Sequence, residues 1–266
     1  VRLKKEQFDM KKGKNRGQRT RKENRDSKVD KRYSRSLEAQ HEIKEDLGKK
    51  NNFKPVQAKN DFQKRVIKAL ETRKVIVISS CAGTGKSYLA MCKALEDQLS
   101  SDCKINLARP AVGMSTSLGL LKGGIREKYE PYLMPLISVI KDSLGAGYYE
   151  CGLKNGNIEL MPFEYLRGLN LDGWTIADEA QNCKASELYS VLTRITETGK
   201  LILLGDKTQH DLEGQDGITW LKRFVYDNDL HDQVEFIEGD SDDIVRSEFV
   251  KAVVKAREKE TGKYTN

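Results

Sequence analysis

Val75-Ile76-Val77-Ile78-Ser79-Ser80-Cys81-Ala82-Gly83-Thr84-Gly85-Lys86-Ser87 is the stretch that decides the fold. Its first four residues form a continuous β-branched run, short enough for a strand buried on both faces. The run satisfies G-x-x-x-x-G-K-[ST] at Gly85, Lys86 and Ser87, with Ser80 standing at the first glycine. Gly83 and Gly85 let the backbone approach phosphate oxygens with no Cβ in the way. A helix reads on over 86–99, with Leu89, Met91, Cys92 and Leu95 apolar, and offers its positive N-terminus to an anion. Ala82, Gly83, Thr84, Gly85, Lys86 and Ser87 are therefore the candidate nucleotide contacts. Lys86 suits the β- and γ-phosphates, and the Ser87 hydroxyl suits Mg²⁺. The bland alternative is an ordinary glycine-rich βα turn.

Outward from this loop, short apolar runs recur at 105–108, 158–160, 175–177, 201–204 and 234–237. Helical patterns precede the loop at 63–70 and lie between the later runs near 130–144, 185–196 and 218–226. Strands separated by helices predict βαβ units and an α/β domain with a mostly parallel sheet covered on both faces. Asn155-Gly156 reads as a type I′ hairpin turn before Ile158. A last helix is expected from Ser241 as cap, with Asp242 and Asp243 in its first turn. Ile244, Val245, Phe249, Val250 and Val253 would form its apolar stripe.

A phosphate loop needs a carboxylate from a neighbouring strand. Trp174-Thr175-Ile176-Ala177-Asp178-Glu179 supplies one, 92 residues after Lys86. Asp178 is the expected second Mg²⁺ contact, held through water. Glu179 is the expected general base toward the attacking water. A further strand end, Leu203-Leu204-Gly205-Asp206-Lys207-Thr208-Gln209, places Asp206 and Gln209 at the same rim, where Gln209 would sense the γ-phosphate or the water. A polar loop residue is the alternative reading of Gln209.

The chain has 266 residues, with 47 Lys+Arg against 40 Asp+Glu. Residues 1–50 hold 18 basic and 9 acidic side chains, so the positive excess belongs to that segment. Its first 35 residues carry too little apolar surface to offset ordering entropy and read as disordered, a short helix is expected over 36–47, and 1–50 together read as a basic extension. Residues 51–260 read as the folded domain. Such an extension attracts phosphate backbones; a solubilising tail is the alternative. No run of about 18 apolar residues predicts a membrane span. Five cysteines without a C-x-x-C pair argue against disulfides or zinc and for a reducing, cytoplasmic setting.

Asp178-Glu179-Ala180-Gln181-Asn182, with Gly205-Asp206-x-x-Gln209-x-Asp211-Leu212 downstream, resembles the PhoH family. Arg109-Pro110-Ala111-Val112, Pro131-Tyr132-Leu133-x-Pro135-Leu136, Leu192-Thr193-Arg194 and Asp243-Ile244-Val245-Arg246 agree with it, over residues 53–257. The resemblance implies a single RecA-like P-loop NTPase domain, related to the first domain of superfamily 1 helicases. It implies a hydrolase that uses ATP and Mg²⁺ and acts on nucleic acid, single-stranded RNA or DNA, by unwinding or remodelling. It also implies a homo-oligomeric, hexameric ring. Gln63 falls where the helicase relatives keep a glutamine that reads adenine. A lone lobe needs an arginine from a neighbouring subunit, and Arg194 and Arg246 are the candidates, with Arg167 third. Ser80 and Cys81 depart from the usual Gly-Pro, Lys122 replaces a proline, and Gly124 replaces a polar residue. The competing class is a nucleotide-gated nucleic-acid-binding module with slow hydrolysis. A small-molecule kinase is disfavoured, since no arginine-rich lid segment follows the core.

Overall fold

The computed structural model describes residues 53, 55–111, 125–206 and 217–264. The basic extension, the helix expected over 36–47, Lys122, Gly124 and Gln209 lie outside the described residues. The chain divides into two units, Val1–Asn52 and Phe53–Asn266, and every described residue belongs to the second.

Six strands make one sheet: β1 Val75–Ser79, β2 Ile105–Arg109, β3 Ile158–Pro162, β4 Trp174–Ala177, β5 Lys200–Gly205 and β6 Val234–Glu238. Their order is β3-β2-β4-β5-β1-β6, and every pairing is parallel. Parallel neighbours need crossovers, and the helices supply them. These are α1 Asp61–Thr72, α2 Lys86–Ser101, the short α3 Ile125–Tyr129, α4 Met134–Leu144, α5 Ala146–Asn155, α6 Ala185–Leu192, α7 Gly217–Asp227 and α8 Glu248–Tyr264. The expected α/β domain, a RecA-like P-loop fold, is thus borne out. One strand, β5, stands between the loop-bearing β1 and the carboxylate-bearing β4, so three strand ends meet at one rim.

Alternation along β1 shows why both faces are covered. Val75 and Val77 join Leu201, Leu203, Phe163, Leu188, Leu221 and Val225 in a core under α6 and α7. Ile76 and Ile78 are fully buried on the opposite face, where α1 and α2 pack, with α4 alongside α2 and α5 alongside α4. Helix α1 starts at Asn60, whose side chain accepts from the Gln63 amide at 2.9 Å, a cap worth about 1 kcal/mol.

Three local expectations are corrected. Asn155-Gly156 is no hairpin: Asn155 ends α5, and Gly156, at φ 76°, is its left-handed cap and donates to the Gly152 carbonyl. The pattern near 130–144 splits into a 3₁₀ turn, Glu130–Leu133, and α4, with Pro131 and Pro135 each at the start of a piece. The last helix starts at Glu248 rather than beside Ser241. Asp240, not Ser241, caps a separate 3₁₀ turn over Ser241–Asp243, accepting from the Asp242 amide at 2.8 Å. Ile244 and Val245 therefore lie ahead of the helix. Phe249 and Val253 are exposed, so the expected stripe does not exist as one buried face.

Candidate functional site

The loop between β1 and α2 closes over a cleft of about 750 Å³. Gly83 at φ 92° and Gly85 at φ 90° hold the left-handed backbone that only glycine adopts without strain. Ser80 keeps a φ that any residue can take, which explains how serine replaces glycine there. Its hydroxyl lies 2.7 Å from the Thr84 hydroxyl inside the loop. Lys86 donates to the carbonyls of Ser80 at 2.9 Å and Cys81 at 3.3 Å, lying across its own loop. Ala82, Gly83, Gly85, Lys86 and Ser87 line the cleft. Thr84 is fully buried and serves the loop's own hydrogen bonds.

Gln63 is buried against the loop. Its Nε2 donates to the Thr84 carbonyl at 2.9 Å, and its Oε1 accepts from the Lys59 amide at 2.9 Å. Each end of the side-chain amide keeps one further hydrogen-bonding site, so a base edge can still be met. Gln63 also lines the cleft.

Asp178 and Glu179, following β4, line the same cleft. Burial, then the neighbouring Glu179 charge, raises the Asp178 carboxyl above its ordinary range, while Arg109 and Lys86 pull it back. Ser87 and Asp178 offer hard oxygen donors at one place, the donor set that suits Mg²⁺ completed by phosphate and water. Glu179 sits at φ 54°, a left-handed conformation that costs a non-glycine residue about 1–2 kcal/mol. Its Oε2 accepts from Gln181 Nε2 at 2.6 Å, and its Oε1 stands 3.8 Å from Arg109. Gln181 Oε1 in turn accepts the Asp206 amide at 3.1 Å, joining the ends of β4 and β5. Asp206 is buried and lines a second cavity of about 430 Å³ beside α7 and β6.

The two candidate arginines separate. Arg246 lines the cleft of its own chain, in a segment tied to the loop by the Val245 amide donating to the Gly83 carbonyl at 3.1 Å. The 240–250 segment packs on the loop of the same chain, so Arg246 stands beside that chain's own phosphate loop. Arg194 is exposed beyond α6, and its carbonyl accepts from Leu171, just ahead of β4. That is the N-terminal end of the parallel strands, opposite the strand ends that carry the cleft. Arg167 is exposed in the 3₁₀ turn after β3 and is not among the cleft's lining residues.

The family model described as PhoH-like protein matches residues 55–258. The chain belongs to the PhoH-like family. It is 35% identical over 220 residues to the PhoH-like protein of Bacillus subtilis, covering 81% of this chain and 68% of that one. With the PhoH-like protein of Mycobacterium tuberculosis it shares 36% over 205 residues, covering 76% and 58%. With Protein PhoH of Escherichia coli it shares 36% over 162 residues, covering 59% and 46%. The chain thus spans between about half and two thirds of these relatives' lengths. Among solved structures it is similar to the large terminase of bacteriophage D6E, with a TM-score of 0.47 and 14% identity over 76% of this chain and 50% of that one. The Pif1 helicase of Candida albicans gives 0.36 and 16%, over 70% and 40%.

Within this PhoH-like chain, two residues touch Glu179 that sequence reasoning does not assign a task. Gln181 stands inside the Asp178–Asn182 run, and Arg109 opens another of the family-like strings. Only the sheet order brings the end of β2 beside the end of β4 and so makes Arg109 a neighbour of the acid pair.

Proposed function

We propose that this chain is an ATP hydrolase whose turnover serves single-stranded nucleic acid, RNA before DNA. The observation that carries the reading is that the phosphate loop, Asp178, Glu179, Gln63 and Arg246 all line one cleft. Lys86 leaves its own loop carbonyls to meet the β- and γ-phosphates, and the loop amides and α2 terminus hold the remaining phosphate charge. Mg²⁺ bound at Ser87 and Asp178 would neutralise charge developing on the phosphates. Glu179 takes the proton of the attacking water, and Gln209 is assigned to the γ-phosphate or that water. Gln63 favours adenine through its remaining donor and acceptor. Arg246 faces the phosphates in its own subunit, and Arg194, at the opposite end of the strands from the cleft, is the candidate finger for a neighbour in a hexameric ring. The basic segment 1–50 gathers nucleic acid. No helix among the described residues is long and apolar enough to cross a membrane.

Steady-state phosphate release with Mg²⁺-ATP, alone and with single-stranded RNA or DNA, tests the reading. Turnover that rises with RNA supports it. ATP binding without turnover in any condition would favour a nucleotide-gated binding module instead.

A further inference from the structure

Each oxygen of Glu179 has a side chain beside it. Gln181 holds Oε2 through a short hydrogen bond of 2.6 Å, and the Arg109 guanidinium faces Oε1 at 3.8 Å. A general base must aim an oxygen at the attacking water, and these two contacts fix where the Glu179 carboxylate points. The two restraints differ in kind. Gln181 is buried and fixed at its other end by the Asp206 amide. Arg109 lies at the end of β2, its side chain about a quarter exposed, and its Nη1 donates to the Tyr132 carbonyl at 3.2 Å. The Arg109 carbonyl accepts from the Tyr129 hydroxyl at 2.9 Å, which fixes its backbone while the side chain can turn. The buried ring of Tyr129 and the half-buried ring of Tyr132 are tilted against each other with centroids 6.3 Å apart, and the exposed ring of Tyr165 stands in the turn after β3, the strand paired with β2. A cation at one strand end and an exposed ring at the neighbouring strand end suit a single strand, phosphate on the guanidinium and base on the ring.

We propose that Arg109 is a positioning residue that holds Glu179 at rest, and that a nucleic-acid phosphate arriving at the β2 end draws the guanidinium away and frees Oε1 for the attacking water. A phosphate is a stronger bidentate partner for arginine than a carboxylate oxygen held at 3.8 Å. The device rests on the reading of the chain as an ATPase responsive to nucleic acid, and it names how the response reaches the base.

Arg109→Gln removes the charge but keeps a donor for the Tyr132 carbonyl; Arg109→Lys keeps the charge. Phosphate release is measured for the full chain and both variants, alone, with a single-stranded oligouridylate, and with inorganic phosphate at matched ionic strength. Binding of a fluorescent ATP analogue reports the fold of each variant. The Gln variant should turn over about twofold to fivefold faster than wild type without nucleic acid, the range of a partly exposed ion pair, and gain little from the oligonucleotide. The Lys variant should keep low basal turnover and still be stimulated, but at a higher oligonucleotide concentration, since an ammonium meets phosphate as a point charge. An Arg109→Gln variant that binds nucleotide yet shows wild-type or lower basal turnover, with an unchanged stimulation ratio, overturns the proposal. So does an Arg109→Lys variant with raised basal turnover and no stimulation, which also decides the matter if the Gln variant fails to fold. Stimulation of wild type by inorganic phosphate alone would overturn the nucleic-acid trigger. A wild type that hydrolyses nothing in any arm would instead refute the proposed function.

Discussion

Glu179 combines a strained backbone, a buried acidic neighbour and two side-chain restraints, and such convergence is typical of a reacting group. Glu179→Gln should keep ATP affinity and reduce phosphate release by about 10²–10⁴, the usual worth of a general base. Turnover equal to wild type would remove the assignment. Lys86→Ala should lose nucleotide affinity instead, which equilibrium binding separates from a turnover defect. The arginines give a sharper contrast. Arg246 lines its own subunit's cleft and Arg194 does not. Mixing Glu179→Gln chains with Arg194→Ala chains should restore activity, because the first lends its arginine to the intact site of the second. Mixing Glu179→Gln with Arg246→Ala should restore none, since each site then lacks a group of its own. Cysteine chemistry offers a check on loop packing. Burial pushes the thiols of Cys81 and Cys92 up to about 11. At pH 8 iodoacetamide should label the half-buried Cys103 and Cys151 well before Cys81 and Cys92, as read by peptide mass spectrometry. Early loss of Cys81 would mean that the loop opens without nucleotide.

The segment 240–250 behaves as a clasp on the phosphate loop. The Cys81 thiol donates to the Asp240 carbonyl at 3.3 Å, and the Val245 amide donates to the Gly83 carbonyl. A Cβ added at Gly83 would come within 3.3–3.4 Å of Ile244, Arg246 and Val250, at a φ of +92°. Gly83→Val should therefore weaken nucleotide binding at least about tenfold and lower the thermal midpoint by several degrees. Unchanged affinity would show that the clasp does not shape the loop. This element also shows where sequence reading fails. Ile244 and Val245 have helical spacing relative to Phe249 and Val253, so periodicity alone extends the helix through them. Their placement instead answers to the loop, a partner more than 150 residues away in the chain. Asn155-Gly156 misleads for a related reason: the same pair suits a hairpin or a helix end, and only the preceding α5 decides. The strands are legible because a parallel strand buried on both faces must be apolar without interruption, as 75–78 and 201–204 are. The glycine loop is legible because its backbone tolerates no other residue at Gly83 and Gly85. Arg109 and Gln181 are not, since strand order and not sequence spacing places them at Glu179.

At the scale of the whole chain, charge and chemistry are segregated. The positive excess lies in residues 1–50, and the remaining 216 residues carry 29 basic against 31 acidic side chains. A nearly neutral core has little net long-range attraction for a polyanion at physiological salt. On the proposed function, capture falls to the extension, and Arg109 at the β2 end would respond to strand already delivered. If several chains form a ring, their extensions act on one strand together, and weak contacts become collectively tight. The extension has only Phe8 and Tyr33 as stacking rings in its first 35 residues, so its contacts should be to phosphate and indifferent to sequence. Deleting residues 1–35 should then lower RNA affinity and flatten its dependence on salt, while leaving ATP hydrolysis without RNA intact. Fluorescence anisotropy at several salt concentrations, on the full chain and the truncated one, measures both effects. The truncated protein should still be stimulated by RNA when the RNA concentration is raised enough to compensate for lost affinity. Loss of stimulation at saturating RNA would place the signal in the extension rather than at Arg109. Unchanged affinity and slope would assign the whole interface to the core and leave the extension as a solubilising tail.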